Sequence, residues 1–573
     1  MTLNVKSKPG VVFYISSVII LSFVLWGIFS PTSLQTTANH FLELMISNFG
    51  WFYMIVTAFF IGFVIFLAIS PYGKLRLGKP EDRPKYSYYT WIGMLFSAGI
   101  GVGFVFWGVA EPVLYYIDTP LGVTPETAEA AQIGLRYAVF HWAFHPWAIF
   151  SIVGLALAYV QYRKDKPALI SSVFYPLIGN RVDGVFGKSI DILAVIATST
   201  GVATTFGLSA IQITGGLSHL TNIPNTITTQ LIIIFIVTIL FIFSAASGLD
   251  KGIRILSVIN LTVAGILLLF MITFGPTLFI LESVVTTLGG YISNVIPMSL
   301  TMSPFSDSVW LGAYTIFFWA WHISWAPFMG LFIARISKGR TIREFVIGVL
   351  VVPSLLGLVW FTAFGGTALH LIRTSGADIA DVVLNNVELA LFVTLSELPL
   401  GMVMSGIAVF LILIFFITSA DSATYVLGVM TSKGSLTPAM SIKVIWGLLI
   451  AGTASVLLLS GGLSGLQTAS IVAALPFAVI MVAMCFSMII MFGKDLKELK
   501  NKRNQKEFNT LKETVREEMY EDMKEDFYEE VKEEMYEEMK EEFYEEVKEE
   551  MYEEMKEEII EHLENETDDP DKK

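Results

Sequence analysis

The sequence predicts an all-α membrane protein that crosses the bilayer twelve times. Of its 573 residues, 54% are hydrophobic and only 15% are charged, whereas about a quarter of the residues in soluble domains are charged. Twelve apolar segments are each long enough to span ~30 Å of hydrocarbon, which requires about 20 helical residues. Composition and segment length together exclude a soluble fold, and we expect no nucleic-acid partner.

The predicted spans alternate with loops of uneven charge. Their approximate cores are residues 11–30, 51–71, 88–108, 137–160, 189–213, 227–246, 254–275, 309–334, 345–372, 400–430, 440–460 and 468–492. Basic residues concentrate in every second loop, as from Lys74 to Lys85 and from Lys338 to Arg343. Basic loops are retained in the cytoplasm, so we expect both termini there.

The loops on the opposite side are poor in basic residues. They are expected to hold the acidic residues Glu111, Asp118, Glu126, Glu129, Glu282 and Asp307. Two segments on this side, 277–297 and 380–396, mix apolar and polar residues. That mixture is typical of amphipathic helices lying in the membrane interface.

Span three contains three alternating glycines. Gly99, Gly101 and Gly103 are followed by Trp107 and by a glutamate–proline pair. Glycines at this spacing permit either tight helix packing or an unwound stretch whose backbone lines a binding site. Both interpretations stay open, and the glutamate–proline pair favours unwinding at least as much as packing.

Span four carries the aromatic cluster FHWAFHPWAIF, with a proline at Pro146 that weakens the helix. His141 and His145 share one helix face and could form a metal pair. Because no third ligand of suitable type lies nearby in the sequence, structural hydrogen bonding is the favoured interpretation.

Span eight is the segment richest in tryptophan. Trp321 and Trp325 lie four residues apart, so they share one helix face. Pro327 and Gly330 then weaken the helix, and a break there would free backbone groups to bind a ligand. Aromatic stripes in membrane helices are mostly packing or interfacial anchors. This cluster is too concentrated at mid-span for such a belt, and it suggests a helix that holds a cation-bearing solute.

Span ten ends in adjacent hydroxyls and an acid, Thr418, Ser419 and Asp421. Hydroxyls at mid-span most often bond back to their own helix, yet hydroxyl and carbonyl oxygens are also the ligands of a small hard cation. An acid within a span is a functional hypothesis by default, although Asp421 could instead cap or pair near the cytoplasmic end.

The C-terminal tail is a charged repeat of sixteen residues, marked by Val515, Val531 and Val547. From Glu513 onward it holds 29 acidic and eight basic residues, a net of −21, so the rest of the chain carries +7 of the total −14. An exposed charged helix is expected. It either pairs with basic loops, a contact that weakens as salt rises, or serves only as a solvated tail, and both hypotheses stay open.

Four motifs are together specific enough to identify a family. SAGIGVGFVFWGVAEP, FHWAFHPWAIF, FFWAWHISWAPFMGLFIARISKGRTIREF and FFITSADS resemble the betaine/choline/carnitine transporter (BCCT) family in order and spacing, and the resemblance covers residues 11–492. It implies a LeuT-type inverted repeat of five helices, spans 3–7 and 8–12, preceded by two extra N-terminal helices. Members move quaternary-ammonium or sulfonium solutes, and many are homotrimers.

The resemblance divides the chain into six parts. These are a cytoplasmic N-terminus (1–10), two accessory helices (11–87), the first repeat (88–275), an outside amphipathic helix and loop (276–308), the second repeat (309–494) and the cytoplasmic tail (495–573).

The resemblance also implies the binding residues. The solute site falls on Trp142, Trp147, Phe150, Trp321, His322, Trp325, Gly99 and Gly101. Phe150 stands where the family has a tyrosine and His322 where it has a tryptophan, so the solute stays open. The principal sodium site falls on Ser97, Ile100, Phe415, Thr418 and Ser419. A second sodium site would use Thr198 and Phe328, but its other threonine position is Val202.

These expectations add up to a sodium-coupled symporter that imports glycine betaine or a related compatible solute for osmoprotection. We expect it in the bacterial cell membrane, in contact with an anionic inner leaflet. Sodium is the coupling ion, and no cofactor or catalytic residue is expected. The alternatives are transport of choline, carnitine, ectoine or dimethylsulfoniopropionate, proton coupling, or exchange. Three other classes of protein also stay open. Saturable, sodium-driven accumulation would exclude a channel, and a product that differs from the substrate would reveal a membrane enzyme. A sensor would show no solute flux.

Overall fold

The structure is a computed structural model that describes residues 8–99, 101–120, 122–246, 250–302, 304 and 309–567. Within these ranges the chain is helical, and its extended backbone pairs only in one isolated bridge between Arg76 and Thr341. The α-helices are α1 Val11–Phe29, α2 Pro31–Ile69, α3 Tyr88–Gly99, α4 Val102–Ile117, α5 Ala128–Trp142, α6 Phe144–Ala158, α7 Tyr175–Ile178, α8 Val185–Leu220, α9 Ile227–Ala246, α10 Asp250–Phe274, α11 Thr277–Leu300, α12 Val309–Leu311, α13 Phe317–Ile336, α14 Ile342–Ser375, α15 Ile379–Asn385, α16 Ala390–Ser396, α17 Gly401–Thr431 and α18 Met440–Thr567.

All twelve predicted spans coincide with helices in the described ranges. Ten helical stretches there are long and apolar enough to cross a membrane. Span three falls short because it is divided between α3 and α4, and α9 is too short in its described apolar part. Conversely, α11 passes the same test, so length and composition do not separate an interfacial helix from a span there. The count of twelve crossings stays a prediction.

Two of the predicted helix breaks are present. α3 ends at Gly99 and α4 starts at Val102, with Gly101 between them in an extended conformation (φ −138°, ψ −175°). Span four breaks at Ala143, between α5 and α6. Pro146 lies in the first turn of α6, where a missing N–H costs no helical hydrogen bond.

The break predicted in span eight is wrong. α13 continues through Pro327 and Gly330 without interruption. Gly330 serves close packing instead, because a Cβ there would lie 2.6 Å from the Cβ of Val153 in α6. The irregular part of this span precedes α13, where residues 312–316 form a short π-helix.

The aromatic helix α13 packs mainly on α6 and α8, while α8 also packs against α17 and α4 packs against α5 and α14. Both predicted repeats therefore contribute to one helical core. α18 contains one non-helical residue, Gly462 (φ 56°, ψ −135°). This left-handed φ favours glycine, and it separates predicted spans eleven and twelve.

The loop after α2 is joined to the loop after α13. Leu77 N donates to Arg340 O at 2.8 Å, next to the bridge between Arg76 and Thr341. α14 then begins with a capping box, in which Thr341 Oγ1 accepts from Glu344 N at 3.2 Å and the Glu344 carboxylate accepts from Thr341 N at 2.8 Å. These bonds order the connection between two helix pairs.

Residues 494–573 form a unit of their own, which is described by itself. Its described part is helical and, from residue 500 on, almost entirely exposed. Five lysines, from Lys524 to Lys556, each lie 3.2–3.6 Å from a glutamate three residues earlier. The spacing predicts these pairs, and each contributes only a few tenths of a kcal/mol, about 0.2–0.5.

Candidate solute site

A mainly aromatic cavity lies beside the break between α3 and α4. It is lined by Gly101, Gly103, Phe104, Trp142, Pro146, Trp147, Phe150, Thr205, Trp321, His322, Trp325 and Met329. Seven of the eight predicted solute residues are among them, and the eighth, Gly99, is described only as α3 backbone. None of these lining residues carries a fixed charge, so the cavity offers ring faces and a few polar atoms.

The rings meet at steep angles around the cavity. Trp142 stands at 87° to Trp321 with centroids 5.9 Å apart, and at 89° to His322 at 5.3 Å. Phe150 lies at 71° to His322 and at 86° to Trp147. Edge-to-face packing of this kind turns several ring faces toward one space.

The two cavity glycines serve different purposes. A Cβ on Gly103 would lie 2.4 Å from the Trp142 ring and 3.0 Å from the Trp321 ring, so any larger residue would displace both. A Cβ on Gly101 would meet no atom within 4 Å. Gly103 therefore admits the tryptophans, and Gly101 leaves open space at the helix break.

Both tryptophans of α13 are anchored to one backbone carbonyl. Trp325 Nε1 donates to Gly201 O in α8 at 3.1 Å, and Trp321 Nε1 donates to the same oxygen at 3.3 Å. Gly201 permits this approach because a Cβ there would lie 2.9 Å from that of Ser324. Sequence reasoning missed Gly201, and its only signal was a small residue within an apolar span.

Glu111 is not in an outside loop, and the expectation that it lies there is wrong. It is fully buried in α4, where its Oε2 accepts a hydrogen bond of 2.7 Å from Trp142 Nε1. α4 continues through Pro112 to Ile117, so the proline that suggested an end of the helix lies inside it. In the sequence, Glu111 could be recognised only as an acidic residue near a span, and nothing there indicated its bond to Trp142 of the cavity.

The two histidines of span four have separate polar partners. His141 Nε2 lies 3.0 Å from Thr315 Oγ1, and His145 Nε2 lies 2.9 Å from Ser299 Oγ. Across the described ranges no cluster of three or more histidine, cysteine or acidic side chains could hold a metal ion. Both imidazoles thus take part in hydrogen bonds, which is the interpretation that the sequence favoured.

Comparison with known proteins decides the family. The family model described as "BCCT, betaine/carnitine/choline family transporter" matches residues 11–497. The chain belongs to the BCCT family. It is therefore a transporter of the betaine type and not an enzyme, and its many apolar helices make it a multi-pass membrane protein.

Curated relatives of this BCCT transporter match over most of their length. The glycine betaine transporter OpuD of Bacillus subtilis is 49% identical over 492 residues, which are 85% of this chain and 95% of that protein. The ectoine/hydroxyectoine transporter of Virgibacillus pantothenticus is 44% identical over 497 residues, 87% of this chain and 99% of that protein. A probable glycine betaine transporter of Desulfitobacterium hafniense is 43% identical over 492 residues, 85% of this chain and 98% of that protein.

The residues predicted for the principal sodium site are described only in part. Phe415, Thr418 and Ser419 lie in α17. Thr418 Oγ1 accepts from Asn260 Nδ2 at 3.1 Å and lies 2.9 Å from the carbonyl oxygen of Ile414 in its own helix. On the other side, Ile100 lies outside the described residues, and Ser97 is described only as α3 backbone. The meeting of the two sides stays a prediction.

The second predicted sodium position pairs α8 with α13. Thr198 Oγ1 donates to Ala194 O within its own helix at 2.7 Å, and Phe328 packs edge-to-face on Trp325 with centroids 5.2 Å apart. Val202 is buried and apolar, so the position that departs from the family adds no oxygen. This site also stays a prediction.

Proposed function

We propose that this transporter imports a zwitterionic compatible solute, glycine betaine or a close relative, together with sodium. The observation that supports the solute class is the aromatic cavity between α5, α6 and α13, which has no fixed charge among its lining residues. A cation over an aromatic face gains about 0.5–2 kcal/mol when desolvated. Methylated ammonium groups are weakly hydrated, so they give up water for ring faces more readily than a primary amine does.

A zwitterion fits such a cavity better than an ion of net charge. Burying an uncompensated charge is costly, and the lining offers no carboxylate or guanidinium to neutralise one. A solute that carries its own negative group brings the compensation with it. The curated relatives named above as glycine betaine and ectoine transporters support the same class.

The proposed coupling ion is sodium, held by the hydroxyls of Thr418 and Ser419 together with backbone oxygens near the α3–α4 break. Hydroxyl and carbonyl oxygens suit a small hard cation. No lysine or arginine occurs in residues 255–275 of the sequence, so no fixed positive charge from that span would replace the ion. Sodium bound between spans three and ten would complete the solute cavity before the repeats rock.

The decisive experiment measures uptake of radiolabelled glycine betaine into proteoliposomes. With an inward sodium gradient, we expect saturable accumulation above the external concentration, and with potassium in place of sodium we expect none. Protein-free liposomes are the control. Equilibration without accumulation would contradict a symporter, and equal uptake in both salts would contradict sodium coupling.

Ectoine is the second candidate solute, and His322 favours it. An imidazole in the cavity adds a polar group that a carboxylate or a ring N–H can meet, and its Nδ1 lacks a well-aligned partner among the described residues. Competition of labelled glycine betaine by ectoine, choline, carnitine and dimethylsulfoniopropionate would rank the solutes. Stronger competition by ectoine than by unlabelled glycine betaine would reverse the order proposed above.

We further propose the LeuT-type inverted repeat, the homotrimer, and a location in the bacterial cell membrane with cytoplasmic termini against anionic lipid. Support for the repeat comes from the interrupted first span of each half, at residues 99–102 and 312–316. Support for the orientation comes from the basic loops. The orientation is tested with Lys79→Cys and Glu126→Cys, by comparing how each cysteine is labelled in intact cells and in broken cells. Labelling of Lys79→Cys in intact cells by an impermeant reagent would contradict it.

A further inference from the structure

A buried polar cluster lies directly behind the aromatic cavity. Its centre is the carboxylate of Glu111, which is 0% exposed. Oε2 accepts from Trp142 Nε1 at 2.7 Å, while Oε1 lies 2.9 Å from the hydroxyl of Tyr115 and 2.5 Å from Nδ1 of His141. Through its other nitrogen, His141 reaches Thr315 Oγ1 in the short π-helix before α13. One carboxylate thus connects α4, α5 and the entry to the aromatic helix.

The bond between Glu111 and Trp142 has a defined direction. An indole N–H can only donate, so Oε2 must be the acceptor whatever the protonation of the cluster. A bond from a carboxylate to this N–H is charge-assisted where the acid is ionised, and it is then shorter and stronger than a neutral one. It withdraws the indole hydrogen toward the carboxylate, so electron density rises on the ring face that a cation would meet.

The orientation of the Trp142 ring is narrowly constrained. Gly103 leaves just enough room on one side, and Phe361 stacks on the ring at 5.7 Å and 30°. Phe104 and Phe318 pack edge-to-face against the same ring, with centroids 5.0 and 5.7 Å away. The hydrogen bond to Glu111 fixes the remaining, polar edge of the indole, because it ties Nε1 to a fully buried residue of α4.

We propose that Glu111 is a positioning residue for the solute: it holds the face of Trp142 toward the bound methylated cation and strengthens that face. This inference rests on the proposed function, because it takes the aromatic cavity as the solute site. Tyr115, His141 and Thr315 hold the carboxylate in place. The cluster thereby fixes the position of α5 relative to the start of α13, so the cavity walls that these two helices supply stay aligned.

A double-mutant cycle tests the proposal by glycine betaine binding to the purified full-length protein, using Glu111→Gln, Trp142→Phe and the double variant. We expect Glu111→Gln to weaken binding about threefold to tenfold, because the amide oxygen still accepts from Trp142 Nε1 but the bond is no longer charge-assisted. In the Trp142→Phe background the same change should have an effect within about twofold, because its partner is gone. An equal loss in both backgrounds, or no loss in the first, would overturn the proposal.

A matched control comes from another buried indole. Thr431 Oγ1 accepts from Trp446 Nε1 at 3.0 Å, with both residues buried and neither lining the cavity. Thr431→Val removes the acceptor altogether, which is a larger change at the indole than Glu111→Gln makes, and it should leave glycine betaine binding unchanged. If it weakens binding as much as Glu111→Gln does, the loss reflects general damage and Glu111 has no positioning role.

Further variants separate the possible failures. If Glu111→Gln does not fold, Glu111→Asp keeps the charge and retracts it by one methylene. It should then weaken binding only where Trp142 is present, and an equal loss in both backgrounds would overturn the proposal. Unchanged binding in Trp142→Phe would show that the cavity is not the solute site, which overturns the proposed function as well. Weaker binding in Trp142→Phe with full binding in Glu111→Gln would overturn the role of Glu111 alone.

Discussion

Asn260 in α10 donates a hydrogen bond of 3.1 Å from Nδ2 to Oγ1 of Thr418 in α17. The Thr418 hydroxyl turns its own hydrogen toward carbonyl oxygens of its helix, Ile414 O at 2.9 Å and Phe415 O at 3.2 Å. A hydroxyl oxygen has two lone pairs, so one remains for a cation after Asn260 is satisfied. Sodium binding at Thr418 is therefore compatible with the contacts that the side chain already makes.

Removing the Thr418 oxygen should weaken sodium activation. We expect Thr418→Ala to raise the sodium concentration for half-maximal uptake at least about tenfold, as for loss of a metal-site contact. Solute affinity at saturating sodium should change less. Thr418→Ser keeps the oxygen and is the control. Sodium-dependent uptake by proteoliposomes provides the measurement, and an unchanged half-saturation in Thr418→Ala would place the ion elsewhere.

Removing the Trp325 ring should weaken uptake of a quaternary-ammonium solute at least about tenfold while the protein still reaches the membrane. Loss of one good ring face costs about 1–2 kcal/mol, or roughly tenfold in affinity. Trp325→Phe retains a ring but not the bond to Gly201 O, so it should fall between Trp325→Ala and the natural protein. Near-normal affinity in Trp325→Ala would contradict the assignment of the cavity.

Replacing the cavity imidazole should change selectivity more than turnover. His322→Phe keeps a planar ring beside Trp142 and Phe150 but removes the polar nitrogens. We expect ectoine to lose affinity relative to glycine betaine by about fivefold, as for one net hydrogen bond. The ratio of inhibition constants against labelled glycine betaine measures this effect. A ratio that does not move would mean that His322 contacts neither solute through its nitrogens.

Arg340 should stabilise the junction of the two loops. Its guanidinium lies 4.1 Å from the ring centre of Trp91 in α3 and donates to the carbonyl oxygen of Tyr86 at 3.1 Å. We expect Arg340→Ala to destabilise the protein by about 1–2 kcal/mol, and Arg340→Lys to recover only part of this because an ammonium lacks the planar fork. Thermal unfolding in detergent tests both. Equal stability of Arg340→Lys and the natural protein would show that charge alone matters at this position.

The acidic tail should influence regulation and not the solute site. Truncation after Lys512 removes a segment of net charge −21 that lies outside the residues matched by the family. We expect unchanged glycine betaine affinity and a shifted dependence of uptake on internal potassium, because salt screens the tail charges over a Debye length of about 8 Å. An activation curve that does not move would leave the tail as a solvated segment only.

Much of the aromatic cavity could be predicted from the sequence, because its residues occur as short motifs within single helices. Trp321 and Trp325 share a helix face by spacing alone, and the cavity includes both. The alternating glycines left both tight packing and an interrupted helix open, and α3 does end at Gly99. Pro327 misled for a local reason: a proline weakens a helix in isolation, but the packing of Gly330 on α6 keeps α13 continuous.

By itself, then, the sequence determined the membrane class, the family and the aromatic character of the site, because these depend on composition and on spacing along single helices. Only the tertiary structure decided that Glu111 is a buried partner of Trp142, and that Gly201 anchors two tryptophans of another helix. Such pairs join different helices, with partners 31 residues apart for Glu111 and Trp142 and at least 120 apart for Gly201 and the two tryptophans. Their contacts depend on how whole helices pack, and no local pattern of residues encodes a distance between two helices.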